Sequence, residues 1–355
     1  MSLTTPQDES TGQVAKRHQR ILDAAAQIYG DSAVASGDLG FVHTLHANCY
    51  LPRRRLNETS YVHENGPYSI LLESGKLLDP RTRQWVDQPL PYGGKPRALL
   101  AYINTYAKAN NTRSIPLGSS FTDFVRLMSG SATGGKRGSI SLWKQQMMAL
   151  AASTIRIGVS FGERARVRKI DIADEIDVWF SPEPNQGSLF PSEIQLTDKY
   201  FDVLSEHAMP VDLRALRALQ NDPLAFGLYI WLTYRLCRVK KQGGQMLTWD
   251  VLFQQFGGGY SELRFFKRRF NDALLKAHAC YPTARLDETG KGVIIKNSPP
   301  PILDASGKVY RLPSNLSLRF LLLRILCHII LHLIVGPELS THTLSHRQRI
   351  LCHNF

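Results

Sequence analysis

The sequence predicts an α+β protein built from two similar units in tandem. Amphipathic helical segments alternate with short stretches of strand periodicity through the middle of the chain. One order of elements, namely helix, short strand, helix, helix and basic hairpin, also occurs twice, roughly 120 to 130 residues apart. This is the order of a winged helix-turn-helix, so we predict two tandem winged-helix domains with short wing hairpins.

Composition divides the chain into five segments. The first residues are polar, with one short helix candidate near residues 16–29, so we expect a flexible and partly disordered arm. Pro, Ser and Gly are dense between the two units, which is typical of a linker. The predicted segments are the arm at 1–60, the first winged-helix domain at 61–180, the linker at 181–192, the second winged-helix domain at 193–302 and an atypical apolar C-terminal extension at 303–355.

The first unit is predicted from helical periodicity followed by strand alternation. Pro96 suits the first turn of a helix, and Phe121, Phe124 and Met128 recur at core spacing. A loop rich in Gly and Ser, residues 129–138, precedes the last helix. In order, the predicted elements are a helix at 98–109, a strand at 114–118, helices at 120–128 and 139–153, and a hairpin at 155–169 that turns at Gly162 and Glu163.

The second unit repeats this order after the linker. The apolar run from Pro223 to Val239, which contains Trp231, predicts a long buried helix. A turn at Thr289 and Gly290 between two short runs predicts a second hairpin. In order, the predicted elements are a strand at 193–196, helices at 197–208, 212–220, 223–239, 249–256 and 261–279, and the hairpin at 284–296.

The helix at residues 261–279 carries the strongest functional signal. Its apolar side chains recur at steps of three and four, which predicts one face packed on a core. A neighbouring face presents cations and an amide, which suits a DNA major groove, although a solvated basic face would show the same pattern. Ser261 is the expected N-cap after three glycines. The apolar set is Leu263, Phe266, Phe270, Leu274 and Ala277, and the polar set is Arg264, Lys267, Arg268 and Asn271.

The net charge favours a polyanionic partner. The chain has 43 Lys and Arg against 30 Asp and Glu, which gives a net charge of +13. Nucleic acid is the first candidate for that partner and an anionic membrane surface is the second. Residues 136–170 hold eight basic residues and one acidic residue, and residues 260–298 hold eight basic and four acidic residues.

Cysteine usage and the N-terminus favour a reducing compartment, the cytoplasm. The five cysteines are odd in number and widely spaced, and no CxxC occurs, so no disulfide framework is expected. The start of the chain, MSLTTPQDES, is polar and acidic, which is unlike a secretory signal.

Part of the chain resembles a known family. The run PLPYGGKPRALLAYINT that begins at Pro89, the WFSP motif at Trp179 and the LFP motif at Leu189 are similar to plasmid-encoded RepA-type replication initiators, over residues 65–302. The resemblance implies a bacterial protein that binds sites at a plasmid origin, helps to open the duplex and recruits the host's initiator and helicase. Initiators of the broader class often switch between dimer and monomer, so the resemblance also admits a homodimer.

The predicted interface with double-stranded DNA uses helices and hairpins from both units. We expect helices 139–153 and 261–279 to enter major grooves, and hairpin residues 162–169 and 287–291 to contact phosphates or a minor groove. The predicted DNA-binding residues are Lys136, Arg137, Lys144, Arg156, Arg164, Arg166, Arg168, Asn271 and Lys291, together with Arg264, Lys267 and Arg268 as the expected base or phosphate readers.

No catalytic activity, cofactor or metal ion is expected. The run from Gly130 matches GxxxxGK, but Arg137 stands where a P-loop needs the Ser or Thr that holds magnesium. His43, His46 and Cys49 lack a fourth ligand at a suitable spacing for a metal site. No His-x-His pair occurs, which argues against a rolling-circle nickase.

Two alternative functions stay open on the sequence alone. A transcriptional repressor of the same architecture would carry the same features, since initiators often repress their own promoters. A membrane-associated protein is the second alternative, because the apolar run at 316–335 is long enough to span a bilayer. Arg319, Arg324, His328 and His332 interrupt that run, so a helix docked in a core or an oligomer interface is the preferred interpretation.

Overall fold

Helices and strands are mixed along the whole described part of the chain, which confirms the predicted α+β class. The predicted linker and the C-terminal extension lie outside the part that the structure describes. The structure is a computed structural model that describes residues 6–31, 37–79, 82–118, 120–136, 138–161, 163–175 and 193–302.

The described residues form ten α-helices and fourteen strands. The helices are α1 (Pro6–Gly30), α2 (Leu45–Asn48), α3 (Gly94–Asn110), α4 (Phe121–Ser129), α5 (Ser139–Ala152), α6 (Asp198–His207), α7 (Leu213–Leu219), α8 (Pro223–Arg235), α9 (Trp249–Phe256) and α10 (Leu263–Ala279). The strands are β1 (Leu39–His43), β2 (Ser60–Asn65), β3 (Tyr68–Glu73), β4 (Lys76–Asp79), β5 (Gln84–Asp87), β6 (Ser114–Pro116), β7 (Thr154–Phe161), β8 (Arg164–Ile170), β9 (Ala173–Glu175), β10 (Glu193–Leu196), β11 (Ala208–Asp212), β12 (Gln245–Thr248), β13 (Leu286–Thr289) and β14 (Gly292–Ile295).

Side-chain caps set where several helices begin. In each case the cap oxygen accepts a hydrogen bond from a backbone N–H that has no partner inside the helix. Such a cap stabilises a helix by about 1 kcal/mol, so these residues fix the boundaries that periodicity alone leaves loose. The capping residues are Ser120 for α4, Thr197 for α6, Asp212 for α7, Asp222 for α8 and Thr248 for α9.

A four-stranded antiparallel sheet forms one wall of the first hydrophobic core. Its strand order is β2-β3-β7-β8, so the hairpin β7–β8 joins strands that precede α3 in the chain. Against this core, α3, α4 and α5 supply Leu99, Phe124 and Trp143, all of which are buried. The predicted order of helix, strand, helix, helix and hairpin is therefore present between α3 and β8.

The second core lies around α8, which is buried on nearly all sides. Its residues from Leu224 to Thr233 are all buried, as expected for a helix that is apolar around its whole circumference. Packed against it are α9, α10 and the small antiparallel sheet β12-β14-β13. The predicted hairpin of the second unit forms as β13 and β14.

The strand predicted at residues 193–196 forms as β10, but it pairs within the first core. Its partners are β6 and β9, and its side chains Ile194 and Leu196 are buried beside the residues of α3. Tyr200 and Leu204 of α6 also belong to this core. The short strand of the second unit is instead β12, which the sequence analysis missed because QMLT is brief and only Leu247 is buried. The division into domains stays a prediction.

The chain before residue 60 contributes to both cores, with Ile21 and Val42 in the second and Cys49 and Leu51 in the first. Strand β1 pairs with β11 in antiparallel register, from Leu39 opposite Asp212 to His43 opposite Ala208. Ile21 of α1 is buried in the second core. The predicted flexible arm therefore contains, among its described residues, a helix longer than the expected one and a paired strand.

Three sequence features fall outside the described residues. They are the WFSP motif, the LFP motif and the apolar run at 316–335. Within the part of the chain that the structure describes, no helix has both the length and the apolar character that a bilayer span requires.

Candidate nucleic-acid interface

Helix α10 is held by an aromatic cluster. Phe266 and Phe270 are almost wholly buried, with ring centroids 5.3 Å apart. The Phe270 ring also lies 5.9 Å from Trp249 and 5.6 Å from Phe256, both on α9. The predicted apolar face of this helix is confirmed, with Ala273 buried as well. Burial of several rings on one face fixes which side of α10 meets solvent.

The start of α10 differs from the prediction. The helix begins at Leu263 and its N-cap is Glu262, whose side chain makes no capping hydrogen bond. Ser261, the expected N-cap, lies one residue further out. The glycine turn before the helix follows α9, whose C-cap is Gly257; the N–H of Gly257 makes the last helical hydrogen bond of α9, to the carbonyl of Phe253.

The opposite face of α10 carries two exposed arginines. Arg264 forms an ion pair with Glu262 at 2.7 Å, and its guanidinium lies 4.6 Å from the centroid of the exposed Phe265 ring. Arg268, one turn later, is exposed and makes no hydrogen bond or ion pair with any described residue. A cation held on a rigid helix without a protein partner is free to bind an external acceptor.

The other two predicted DNA-binding residues of α10, Lys267 and Asn271, connect the helix to the second hairpin. Lys267 lies 5.4 Å from the ring of Trp249, whose indole N–H donates to the carbonyl of Gly290 at 3.2 Å. Asn271 donates from its Nδ2 to Glu288, while its Oδ1 is buried with no described partner. These contacts place the hairpin beside the exposed face of α10.

The second hairpin carries a mixed charge. Lys291 lies in its two-residue turn and is exposed. Asp287 and Glu288 on β13 are both engaged, Asp287 by Lys296 at 2.5 Å and Glu288 by the side chain of Asn271. The structure thus leaves Lys291 as the exposed cation at the tip of this hairpin among the described residues.

A group of ion pairs lies beneath α10 and supports it. Asp222 contacts Arg269 at 2.8 Å and Lys276 at 3.1 Å, and Asp272 contacts both of these cations. Burial alone would raise the pKa of Asp222, but attraction to Arg269 and Lys276 outweighs burial and holds its pKa below the ordinary value. Arg269 and Lys276 are therefore occupied inside the protein, unlike Arg268.

The basic residues of the first unit lie on a loop, a helix and a hairpin. Lys136 is exposed just before α5, and Lys144 is half-buried on that helix. Reciprocal hydrogen bonds between Thr133 and Ser139 close the loop. Arg137 lies outside the described residues.

The first hairpin is long and its arginines occupy alternate positions. Arg164, Arg166 and Arg168 lie opposite Phe161, Val159 and Ile157 respectively in the β7–β8 register. Arg156 on β7 is paired with Glu73 of β3, and Lys169 lies 3.1 Å from Asp171. Of the predicted residues on this hairpin, Arg156 thus already has a protein partner.

The structure adds one basic cluster that the sequence analysis left aside. Arg53 donates from Nη1 to the carbonyl of Phe256 at 2.6 Å and from Nη2 to that of Gly258, so it reaches the turn between α9 and α10. Arg54 and Arg55 follow it and are exposed. Nothing in the sequence pattern signals this contact, because about 200 residues separate the partners along the chain.

Of the histidine and cysteine residues noted near the N-terminus, His43 and Cys49 are buried and His46 is half-buried. Burial, together with the charge of Arg97, lowers the pKa of His46 to about 4, and burial raises the pKa of Cys49 to about 12. Both side chains are neutral at pH 7 as a result. Among the residues that the structure describes, no cluster of three or more His, Cys, Asp or Glu has the geometry of a metal site.

The geometry thus places exposed cations on α10 and at the tip of the second hairpin. Comparison with known families is more specific. Residues 90–251 match RepA_C, the family described as plasmid encoded RepA protein. The predicted resemblance is confirmed over this segment, which lies within the predicted 65–302 and ends inside α9. The match supports a role in plasmid replicon initiation.

Solved structures and curated sequences add little to this assignment. A crystal structure of RctB domains 2 and 3 is 14% identical, with a TM-score of 0.40, and covers 71% of this chain and 96% of its own. A selenomethionine derivative of the same two domains is 13% identical, with a TM-score of 0.42, covering 71% of this chain and 95% of its own. No curated protein sequence matches this chain with significance.

Proposed function

We propose that this protein is a replication initiator that binds double-stranded DNA sequence-specifically at repeats of a plasmid origin. The match of residues 90–251 to the RepA family supports the role in replication. The DNA-binding part depends chiefly on one observation. Arg268 is exposed and unpaired among the described residues, on a helix whose other face is locked in an aromatic core.

In this proposal the second unit is a winged helix. The order α8, β12, α9, α10, β13, β14 and the antiparallel sheet β12-β14-β13 support it. In winged helix-turn-helix proteins the last helix before the hairpin enters the major groove. Here that helix is α10, and the exposed tip of the hairpin at Lys291 would contact a phosphate beside it.

The first unit is a winged helix of altered sheet topology in the same proposal. Its helices α3, α4 and α5 and the hairpin β7–β8 follow the expected order, but β6 pairs elsewhere. Its hairpin has seven and eight residues per strand, against four and four in the second unit. A long arginine-bearing hairpin suits contact with phosphates or a minor groove.

Arg268 and Arg264 would act as the readers of bases or phosphates. They lie four residues apart, about one helical turn, so both reach one stretch of groove. The guanidinium group suits a guanine, whose O6 and N7 accept two parallel hydrogen bonds. To bind DNA, Arg264 must first break its ion pair with Glu262, whereas Arg268 has no ion pair or hydrogen bond with a described residue to break.

The recruitment of the host initiator and helicase and a homodimeric state come into the proposal from the family resemblance. The absence of catalytic activity comes from the missing His-x-His and P-loop motifs in the sequence. The chain would act by binding and opening DNA in the cytoplasm, with the chemistry performed by the recruited proteins.

Footprinting tests the DNA-binding part. The wild-type protein should protect repeats in the DNA that flanks its gene, and Arg268→Ala should weaken binding by about 1–3 kcal/mol if Arg268 reads a guanine. Lys240→Ala is a matched control, because Lys240 is also an exposed cation of the second unit. It follows Val239, whose carbonyl accepts a hydrogen bond from Asn297 beyond the end of β14. Absence of any protection by the wild-type protein would overturn the proposal.

A transformation assay tests initiation separately. A plasmid that carries only this gene and its flanking repeats should replicate in a bacterial host, and Arg268→Ala should abolish or reduce its copy number. A protein that protects its promoter but never supports replication would instead be a repressor.

A further inference from the structure

We propose that Arg54 and Arg55 form part of the DNA-binding surface of the second unit and contact the phosphate backbone of the duplex that α10 reads. This inference depends on the proposed function. It assigns a binding role to a segment that precedes both units in the chain and lies outside the segment matched by the RepA family.

Arg53 fixes this segment to the turn between α9 and α10. Its guanidinium donates to the carbonyls of Phe256 and Gly258 and lies 5.1 Å from the centroid of the Tyr260 ring. The Phe256 carbonyl is one of the carbonyls that the end of α9 leaves without a helical partner. Arg53 is half-buried and fully engaged, so it positions its neighbours and is unavailable to DNA.

The two residues before Arg53, Leu51 and Pro52, are also held in place, by residues at the start of α3. Arg97 of α3 is buried and donates to the carbonyls of Leu51 and Pro52. The N–H of Gly93 also bonds to the Pro52 carbonyl at 3.0 Å. Because the chain is held at Leu51, Pro52 and Arg53 in succession, the position of Arg54 is defined by the fold.

Arg54 therefore lies at the entrance to α10. Its guanidinium is 3.5 Å from the point where a Cβ on Gly259 would be, three residues before the N-cap of the helix. Both Arg54 and Arg55 are exposed, and neither has a hydrogen bond or ion pair with a described residue. Two unpaired cations are thus presented beside a turn that leads to Arg264 and Arg268.

The charge of this surface selects its partner. Four exposed arginines belong to this surface, Arg54 and Arg55 before it and Arg264 and Arg268 on α10, and of these Arg264 is paired with an acid, Glu262. Such a row repels itself unless an anion lies against it. A duplex in contact with α10 brings its phosphates to the ends of that helix, at a spacing of a few ångströms along each strand. Backbone phosphate is accordingly the ligand to which we assign Arg54 and Arg55.

The salt dependence of DNA binding tests this assignment on the full-length chain. Affinity for a 30-base-pair duplex containing a flanking repeat would be measured by fluorescence anisotropy across a range of salt concentrations. Arg54→Ala/Arg55→Ala should weaken binding roughly tenfold and reduce the slope of log K against log salt by about 2, since each lost phosphate contact removes about 0.9. The loss should be similar for repeat and scrambled duplexes, because phosphates carry no sequence information.

Two further variants make the result decisive. Lys240→Ala/Lys241→Ala removes the same charge from an exposed pair elsewhere in the second unit and should leave the slope unchanged. Arg54→Lys/Arg55→Lys keeps the charge and should retain most of the affinity. Thermal unfolding of the alanine pair should match the wild type, since both side chains are exposed.

The outcomes separate this inference from the proposed function. If Arg268→Ala weakens binding while Arg54→Ala/Arg55→Ala behaves like the Lys240/Lys241 control, the inference is overturned and the proposed function stands. If the wild-type chain binds neither the repeat nor the scrambled duplex, both are overturned.

Discussion

The two basic units of this protein hold their charges in different ways. In the second unit the cations lie on a helix. Acids on that helix or on the adjacent hairpin bind polar side chains beside these cations: Asp272 forms an ion pair with Arg269, and Glu288 accepts a hydrogen bond from Asn271. In the first unit the arginines lie on a long hairpin, and the described ion pairs to Glu73 and Asp171 involve Arg156 and Lys169 at its base.

The sheets of the two units also differ, in how far apart along the chain their strands lie. The second hairpin belongs to a sheet whose three strands all come from within 51 residues, Gln245 to Ile295. The first hairpin extends a sheet that starts at Ser60, before the unit's own helices. A short hairpin locked to its helix favours precise placement of a few side chains, whereas a long basic hairpin favours a broad electrostatic grip. We therefore expect sequence discrimination from the second unit and salt-dependent affinity from the first.

The largest expected effect concerns the packing that orients α10. Phe270→Ala should lower the free energy of unfolding by about 3–5 kcal/mol, because it empties the centre of the aromatic cluster. Urea denaturation measures this loss. Leu275→Ala on the same helix is the control, since Leu275 is 69% exposed and its loss should cost less than about 0.5 kcal/mol. Equal stabilities for the two variants would contradict the described orientation of α10.

A smaller effect is expected from the ion pairs beneath α10. Asp222→Asn keeps a side chain able to cap α8 but removes the charge that pairs with Arg269 and Lys276, so it should cost about 1–2 kcal/mol at pH 7. Asp222→Ala removes the cap as well and should cost more.

The pH dependence of this effect has a definite sign. The pKa of Asp222 is lowered in the folded protein, so its stabilising contribution is complete above the ordinary carboxyl pKa of 3.8 and is lost as the pH falls through the folded pKa. The stabilities of wild type and Asp222→Asn, measured by denaturation at several pH values, should therefore converge below about pH 4. A difference that stays constant into acid would show that the charge of Asp222 is not responsible.

The smallest effect, a change in DNA affinity and its salt dependence, is expected for single substitutions on the first hairpin. Arg166→Ala should reduce the salt slope of DNA binding by about 0.9 and weaken repeat and scrambled duplexes alike. Val167→Ala is the neutral control, since Val167 is exposed on the same strand. A loss confined to the repeat duplex would reverse the comparison, because it would assign sequence reading to the first unit.

Local pattern was sufficient for the helices and the hairpins. The faces of α10 and the two β-hairpins were predicted from spacing alone, and the structure confirms them. The prediction of Ser261 as the N-cap was wrong by one residue, because several polar residues near a glycine turn fit the sequence preference for an N-cap. The partner of β10 could not be predicted, since a four-residue strand fits more than one sheet edge.

The sequence by itself determined the α+β class, the order of the helices and hairpins, the buried face of α10 and the resemblance to plasmid-encoded RepA proteins. These depend on periodicity and motif, which are properties of neighbouring residues. Only the tertiary structure decided that β10 joins the first core, that β1 pairs with β11 and that Arg53 reaches the turn before α10. Those contacts join residues far apart in the chain, and they are selected by how the packed cores fit together rather than by any local pattern.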